Sequence, residues 1–187
     1  MTFLFNIRGY NGSGKSTIPH EIINKYGSNP IIQADKIIAH QIKELSLILI
    51  GKYTIQCGGG DSFPNKKKLI QTLIYIIKTY PEYNILLEGI FISTSKNYYI
   101  ALFKYLKDKY NITPIIIFLT TPLLTCEQNI ILHRKGKIKL YPSTYNSIIK
   151  QIPQFKQHFN TYTINNTGTK QELLQNFERI FKYWMGA

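Results

Sequence analysis

An α/β fold built on a parallel sheet is what this sequence predicts, on three observations. Along its 187 residues, short apolar runs alternate with segments whose apolar residues recur at helical spacing. The runs are nearly continuous in Ile, Leu and Phe, the pattern of strands buried on both faces. A glycine-rich loop, Gly9-Tyr10-Asn11-Gly12-Ser13-Gly14-Lys15-Ser16-Thr17, follows the first run and opens the first helical segment. Such alternation implies crossovers that leave helices on both faces of the sheet.

The elements follow in order. Phe3-Leu4-Phe5-Asn6-Ile7 is the first strand, and Ile18, Ile22 and Ile23 carry the first helix. Pro30-Ile31-Ile32-Gln33-Ala34 reads as a second strand ending at Asp35. Residues 36–46 read as a helix through Ile37, Ile38, Ile42 and Leu45, and residues 65–80 as another through Leu69, Leu73, Ile76 and Ile77. Ile85-Leu86-Leu87 is a strand ending at Glu88-Gly89, with a helix over 95–109. Ile115-Ile116-Ile117-Phe118-Leu119 is the least ambiguous strand. Pro122 opens a helix whose far end is basic at His133, Arg134, Lys135, Lys137 and Lys139, and Pro153 interrupts the next helical stretch. Thr161-Tyr162-Thr163-Ile164 is the fifth strand, and residues 171–184 close the chain as a helix. No linker or repeat divides the chain, so a single domain over 1–187 is expected.

Composition narrows the class. An apolar fraction of 44% and a charged fraction of 18% suit a globular rather than a disordered chain. The glycine loop begins at Gly9, which leaves no room for a signal peptide, and the longest apolar stretches are too short to span a bilayer. Cys57 and Cys126 form no metal-spaced pair, and a reduced, cytoplasmic setting without membrane attachment is the simplest expectation. The net charge of +13 favours a polyanionic partner such as DNA. Codon bias towards lysine is the competing account, since only three arginines are present.

The loop matches G-x-x-x-x-G-K-S, a phosphate-binding pattern that needs a strand before it and a helix after it. Asn11, Gly12, Ser13, Gly14, Lys15, Ser16 and Thr17 would wrap a nucleoside triphosphate with backbone N–H groups at a helix N-terminus. Lys15 would reach the β- and γ-phosphates, and the Ser16 hydroxyl would ligand Mg²⁺. Ligands in open α/β sheets sit at the carboxyl ends of the strands, which places the loop, Asp35, Glu88 and Thr120 along one edge. Asp35 is either a general base or an N-cap of the following helix. Glu88 either holds Mg²⁺ through water, binds the acceptor, or is a solvated strand end. In residues 51–61, three successive glycines, Gly58, Gly59 and Gly60, permit close backbone approach. There Tyr53 could stack on an unpaired base, Asp61 could hydrogen-bond the substrate, and Lys66, Lys67 and Lys68 could meet phosphates; a flexible connector is the alternative.

The loop and the strand–helix order resemble the small P-loop kinases. That resemblance implies a five-stranded parallel sheet in the order 2-3-1-4-5 and a lid over about 122–142. It further implies a carboxylate at Asp35 facing the acceptor hydroxyl, a catalytic lid cation at Arg134, and an adenine cradle at Asn165-Asn166-Thr167-Gly168. The loop together with G-K-Y-x-x-x-C-G-G-G-D and L-L-E-G is similar to the 5-hydroxymethyluracil DNA kinases of phages. The similarity implies ATP as donor and the hydroxymethyl oxygen of a modified base in DNA as acceptor. A kinase of free nucleosides or nucleotides, a polynucleotide 5′-hydroxyl kinase, and a DNA-binding ATPase without an acceptor stay open beside it.

Overall fold

The N-terminal run forms β1 (Thr2–Gly9), and because Leu4 to Gly9 are buried on both faces it takes a place inside the sheet. A computed structural model describes residues 1–54, 58–133 and 141–186. β1 pairs in parallel with β5 (Asn84–Glu88) on one side and β6 (Ile112–Leu119) on the other. β7 (Asn160–Ile164) lies outside β6, and β4 (Leu47–Ile50) lies outside β5, both again parallel. Counted along the chain, these five parallel strands stand in the order 2-3-1-4-5.

Among the described residues the sheet has seven strands, not the expected five. Two more, β2 (Asn29–Gln33) and β3 (Lys36–Ile42), continue beyond β4 as an antiparallel hairpin. Residues 36–46 are therefore not a helix: β3 is followed only by a short 3₁₀ turn, Lys43–Leu45. The spacing of Ile37, Ile38, Ile42 and Leu45 satisfies either period, and β-branched residues favour the strand. Ala34 and Asp35 decide the matter locally. Both adopt left-handed backbone, φ 49° and 59°, as the two central residues of a tight hairpin turn. The second parallel strand is instead Leu47-Ile48-Leu49-Ile50, every residue of it buried.

Helices cover both faces. α1 (Thr17–Tyr26) and α8 (Lys170–Met185) bring Ile18, Ile22, Leu173, Phe177 and Phe181 against Phe5, Ile7 and Leu86. On the other face lie α2 (Lys66–Thr79), the short α3 (Ile90–Ser93), α4 (Lys96–Tyr110) and α5 (Leu123–His133). They are joined there by α6 (Pro142–Ile149) and α7 (Ile152–Lys156), with Phe103, Ile148 and Phe155 packed towards Leu4, Ile116 and Phe118. Pro153 separates α6 from α7 by occupying the first turn of the latter, where its missing N–H costs nothing. A capping box between Thr169 and Glu172 starts α8. Among the described residues no helix is long and apolar enough to cross a membrane.

Candidate active site

A cleft of about 570 Å³ opens at the carboxyl end of β1 and β5. Its floor is the glycine loop. Gly12 and Gly14 hold φ at 75° and 94°, and a side chain on Gly12 would run into the Cys126 carbonyl. Three side chains pin the loop by its carbonyls. Thr121 donates to the Ser13 carbonyl at 2.9 Å, Asn166 to the same oxygen at 3.0 Å, and Asn129 to the Gly12 carbonyl at 2.8 Å. The Gly12 and Ser13 carbonyls are thereby occupied, and the N–H groups of a glycine loop suit an anion. Asn11, Gly12, Gly14, Lys15, Ser16 and Thr17 line the cleft, while Ser13 is buried under it. The Lys15 ammonium donates to the Tyr10 carbonyl at 2.8 Å.

Opposite the loop stand Glu88 and Asp61. Glu88 is 2% exposed and accepts from the Ser16 hydroxyl at 3.1 Å. Burial pushes its carboxyl up to about 7, against the opposing pull of Lys15. The three-glycine segment explains that burial: Gly59 lies so close to Glu88 that a Cβ there would overlap the carboxylate. The glycines thus admit a neighbouring side chain of the same protein. Asp61, in the 3₁₀ turn Gly60–Ser62, lines the cleft and accepts from the Ile90 and Phe91 N–H groups at 2.9 and 3.0 Å. These bonds fix its carboxylate at the start of α3.

The structure separates the remaining expected residues. Asp35 is exposed in the β2–β3 turn, with β3, β4 and β5 between it and β1, and it does not line the cleft. It caps no helix either, because none follows it. Tyr53 does not offer a stacking face: it is 6% exposed, with its ring edge-on to His20 at 5.6 Å and to His40 at 6.1 Å. Burial, then the charge of Glu88, holds its phenol well above the usual range. Arg134 lies outside the described residues, as do Lys135, Lys137, Lys139 and Cys57. In the segment expected to cradle adenine, Asn166 and Gly168 line the cleft, with Lys170 and Leu173 beyond them.

Among the residues not singled out by the sequence are His20 and Arg8, beside Asn129, Thr121, Lys170 and Leu173. His20, one turn after Ser16, lines the cleft through helical spacing alone. Arg8, at the end of β1, is wholly buried and donates to the Ile92 carbonyl at 2.8 Å, the Ser93 carbonyl at 3.1 Å and Gln151 at 2.9 Å. Its guanidinium lies 4.4 Å from the Phe155 ring centroid, and burial pushes its pKa down to about 9, still charged at neutral pH. An arginine inside an apolar strand gave a signal, but only its neighbours reveal the role of tying β1 to α3 and α7.

Ser16 and Glu88 suit a magnesium ion. A hydroxyl and a carboxylate oxygen 3.1 Å apart are hard donors, and Mg²⁺ keeps several water ligands when few protein oxygens bind it.

Fold and site together define an α/β protein of the P-loop class, with its phosphate loop between β1 and α1 at the edge where ligands bind. Within that class, the family model for 5-hmdU DNA kinase matches residues 2–162, and the chain belongs to this family. Curated relatives include a 5-hmdU DNA kinase of Bacillus phage SP10, 31% identical over 109 residues, which are 58% of this chain and 17% of that protein. Another, from Pseudomonas phage PaMx11, is 29% identical over 140 residues, 72% of this chain and 70% of that protein. The 5-hmdU DNA kinase 1 of Salmonella phage ViI is 30% identical over 126 residues, 66% of this chain and 56% of that protein. Among solved structures, a deoxyadenosine kinase from M. mycoides with bound dCTP aligns over 95% of this chain and 98% of that one, at 15% identity and TM-score 0.46.

Proposed function

We propose that this chain transfers the γ-phosphoryl group of ATP to the hydroxymethyl oxygen of 5-hydroxymethyluracil in DNA, in the cytoplasm of a phage-infected cell. The observation that supports this most is one cleft holding a complete phosphate loop on one wall and two carboxylates, Asp61 and Glu88, on the other. A donor seat with one carboxylate placed for the metal and another for the acceptor hydroxyl suits transfer to an alcohol.

In this reading the loop amides and Lys15 neutralise the phosphates. Ser16 and Glu88 would hold Mg²⁺, which when bound offsets charge on the β- and γ-phosphates. Asp61 takes the role first expected of Asp35. The acceptor oxygen bonds to the γ-phosphorus, the bond to the bridging oxygen of ADP breaks, and the hydroxyl proton passes to Asp61. A loose transition state asks little basicity of that group, so an oriented carboxylate suffices. The base would leave the duplex stack to enter the cleft.

The test supplies γ-labelled ATP and Mg²⁺ with plain DNA, DNA containing 5-hydroxymethyluracil, and the free modified nucleotide, then locates label by digestion and mass spectrometry. Label on the base of modified DNA is expected. Label on the free nucleotide alone, on 5′ ends, or only in released phosphate would overturn the reading in favour of a metabolic kinase, an end kinase or an ATPase. Lys15→Ala is expected to abolish transfer. Asp61→Asn should lower kcat by about 100-fold or more with ATP affinity retained, the usual scale for a positioned proton acceptor.

A further inference from the structure

Beside the cleft, on the Asp61 side, three chain segments meet in a patch that the chemistry of transfer does not use. Phe91 and Tyr98 are large aromatic residues left 39% and 47% exposed. Between them lies the Lys66 ammonium, 5.5 Å from the Phe91 ring centroid and 5.7 Å from that of Tyr98, held by the Ser95 hydroxyl at 2.6 Å. Lys67 and Lys68 are exposed on the same turn of α2, and Lys96 opens α4. The patch is continuous with the cleft, because the Phe91 N–H is one of the two donors that fix Asp61.

The charge arrangement runs against ordinary helix design. The first turns of α2 and α4 carry lysines and no acidic residue, although the positive end of each helix dipole lies there. Like charges gathered beside exposed rings are stabilised by an anion that also presents flat faces. A nucleic-acid strand has both, phosphates for the lysines and bases for the rings.

We infer that this patch is the cradle for unpaired DNA on either side of the reacting base, with Phe91 and Tyr98 stacking on neighbouring bases and Lys66, Lys67 and Lys68 on phosphates. The inference rests on the acceptor being a base in DNA, and it gives that DNA a direction, leading from Asp61 outward across α3, α2 and α4. It also moves the stacking role from the buried Tyr53 to two rings that can be reached.

The experiment measures anisotropy of a fluorescently labelled single-stranded oligonucleotide carrying one 5-hydroxymethyluracil, without ATP, over a series of salt concentrations. Replacing both rings, Phe91→Leu with Tyr98→Leu, is expected to weaken binding about tenfold or more, the scale of lost base stacking. Lys66→Ala, Lys67→Ala and Lys68→Ala together should reduce the slope of log affinity against log salt by about 2. ATP affinity, measured in parallel, should stay at its wild-type value and reports that each variant is folded. Wild-type protein that fails to bind the strand, or folded variants with unchanged affinity and slope, would overturn the inference. Because binding is read without transfer, a protein that holds DNA here yet phosphorylates no base would keep this inference and lose the proposed function. Transfer with unchanged binding in the variants would do the reverse.

Discussion

Glu88 combines deep burial with a carboxylate, and the combination has a measurable sign. Its pKa rises from 4.5 to about 7 on folding, chiefly through desolvation. The folded state therefore binds the proton more tightly than the unfolded chain between those values. The destabilisation is absent below about pH 4.5, grows through the interval, and is fully present above about pH 7, on the order of 3 kcal/mol. Glu88→Gln should accordingly melt higher than wild type at pH 8, with the gap closing as pH falls towards 4.5, while Mg²⁺ affinity drops. A gap that is constant with pH would show that Glu88 is ionised throughout. Glu88 was legible as a candidate because an acidic residue ended an apolar run. Its burial was not, because that depends on Gly59 arriving from a loop almost thirty positions earlier in the chain. Tyr53 misled for the same reason, since an aromatic in a glycine-rich loop looks exposed until the loop is folded against Glu88.

The β2–β3 hairpin is the element that the sequence disguised. Its turn uses Ala34 and Asp35, two residues held at positive φ where Asn and Gly are preferred. Ala34→Asn with Asp35→Gly should therefore raise stability by about 0.5–1 kcal/mol, measured by denaturant midpoint at constant m-value. Transfer activity should be unchanged in this variant, since Asp35 does not line the cleft. A collapse of turnover would restore Asp35 to the chemistry. Periodicity failed here because six or seven Ile-rich residues satisfy a helix or a strand equally. Pairing with β4 decides it, and pairing is a property of another segment. The long elements were free of this ambiguity: α2, α4 and α8 run 14, 15 and 16 residues, several turns of consistent period.

At the scale of the whole molecule, the charge of +13 is the dominant field. It should appear in kinetics as a KM for modified DNA that rises steeply with salt, while the KM for ATP, set by the enclosed loop, changes little. Equal salt dependence of both would assign the lysines to general solubility. The family match ends at residue 162, yet Asn166, Gly168, Lys170 and Leu173 line the cleft, so the β7–α8 loop and the start of α8 complete a wall that the matched span leaves open.

From local sequence came the phosphate loop with its flanking strand and helix, the α/β class and the excess of positive charge; the order implied by the family resemblance holds only with Leu47–Ile50 in place of Pro30–Ala34 as the second parallel strand. The loop, the class and the charge are matters of local spacing or of counting, and none of them needs to know what lies across the molecule. Folding was needed to establish that Leu47–Ile50 is the second parallel strand, that the edge carries an antiparallel hairpin, and that Asp61 rather than Asp35 lines the cleft. Those outcomes turn on which apolar run wins a place beside β5. That competition is settled by burial on both faces and by backbone pairing between distant segments, neither of which is written in any one stretch of chain.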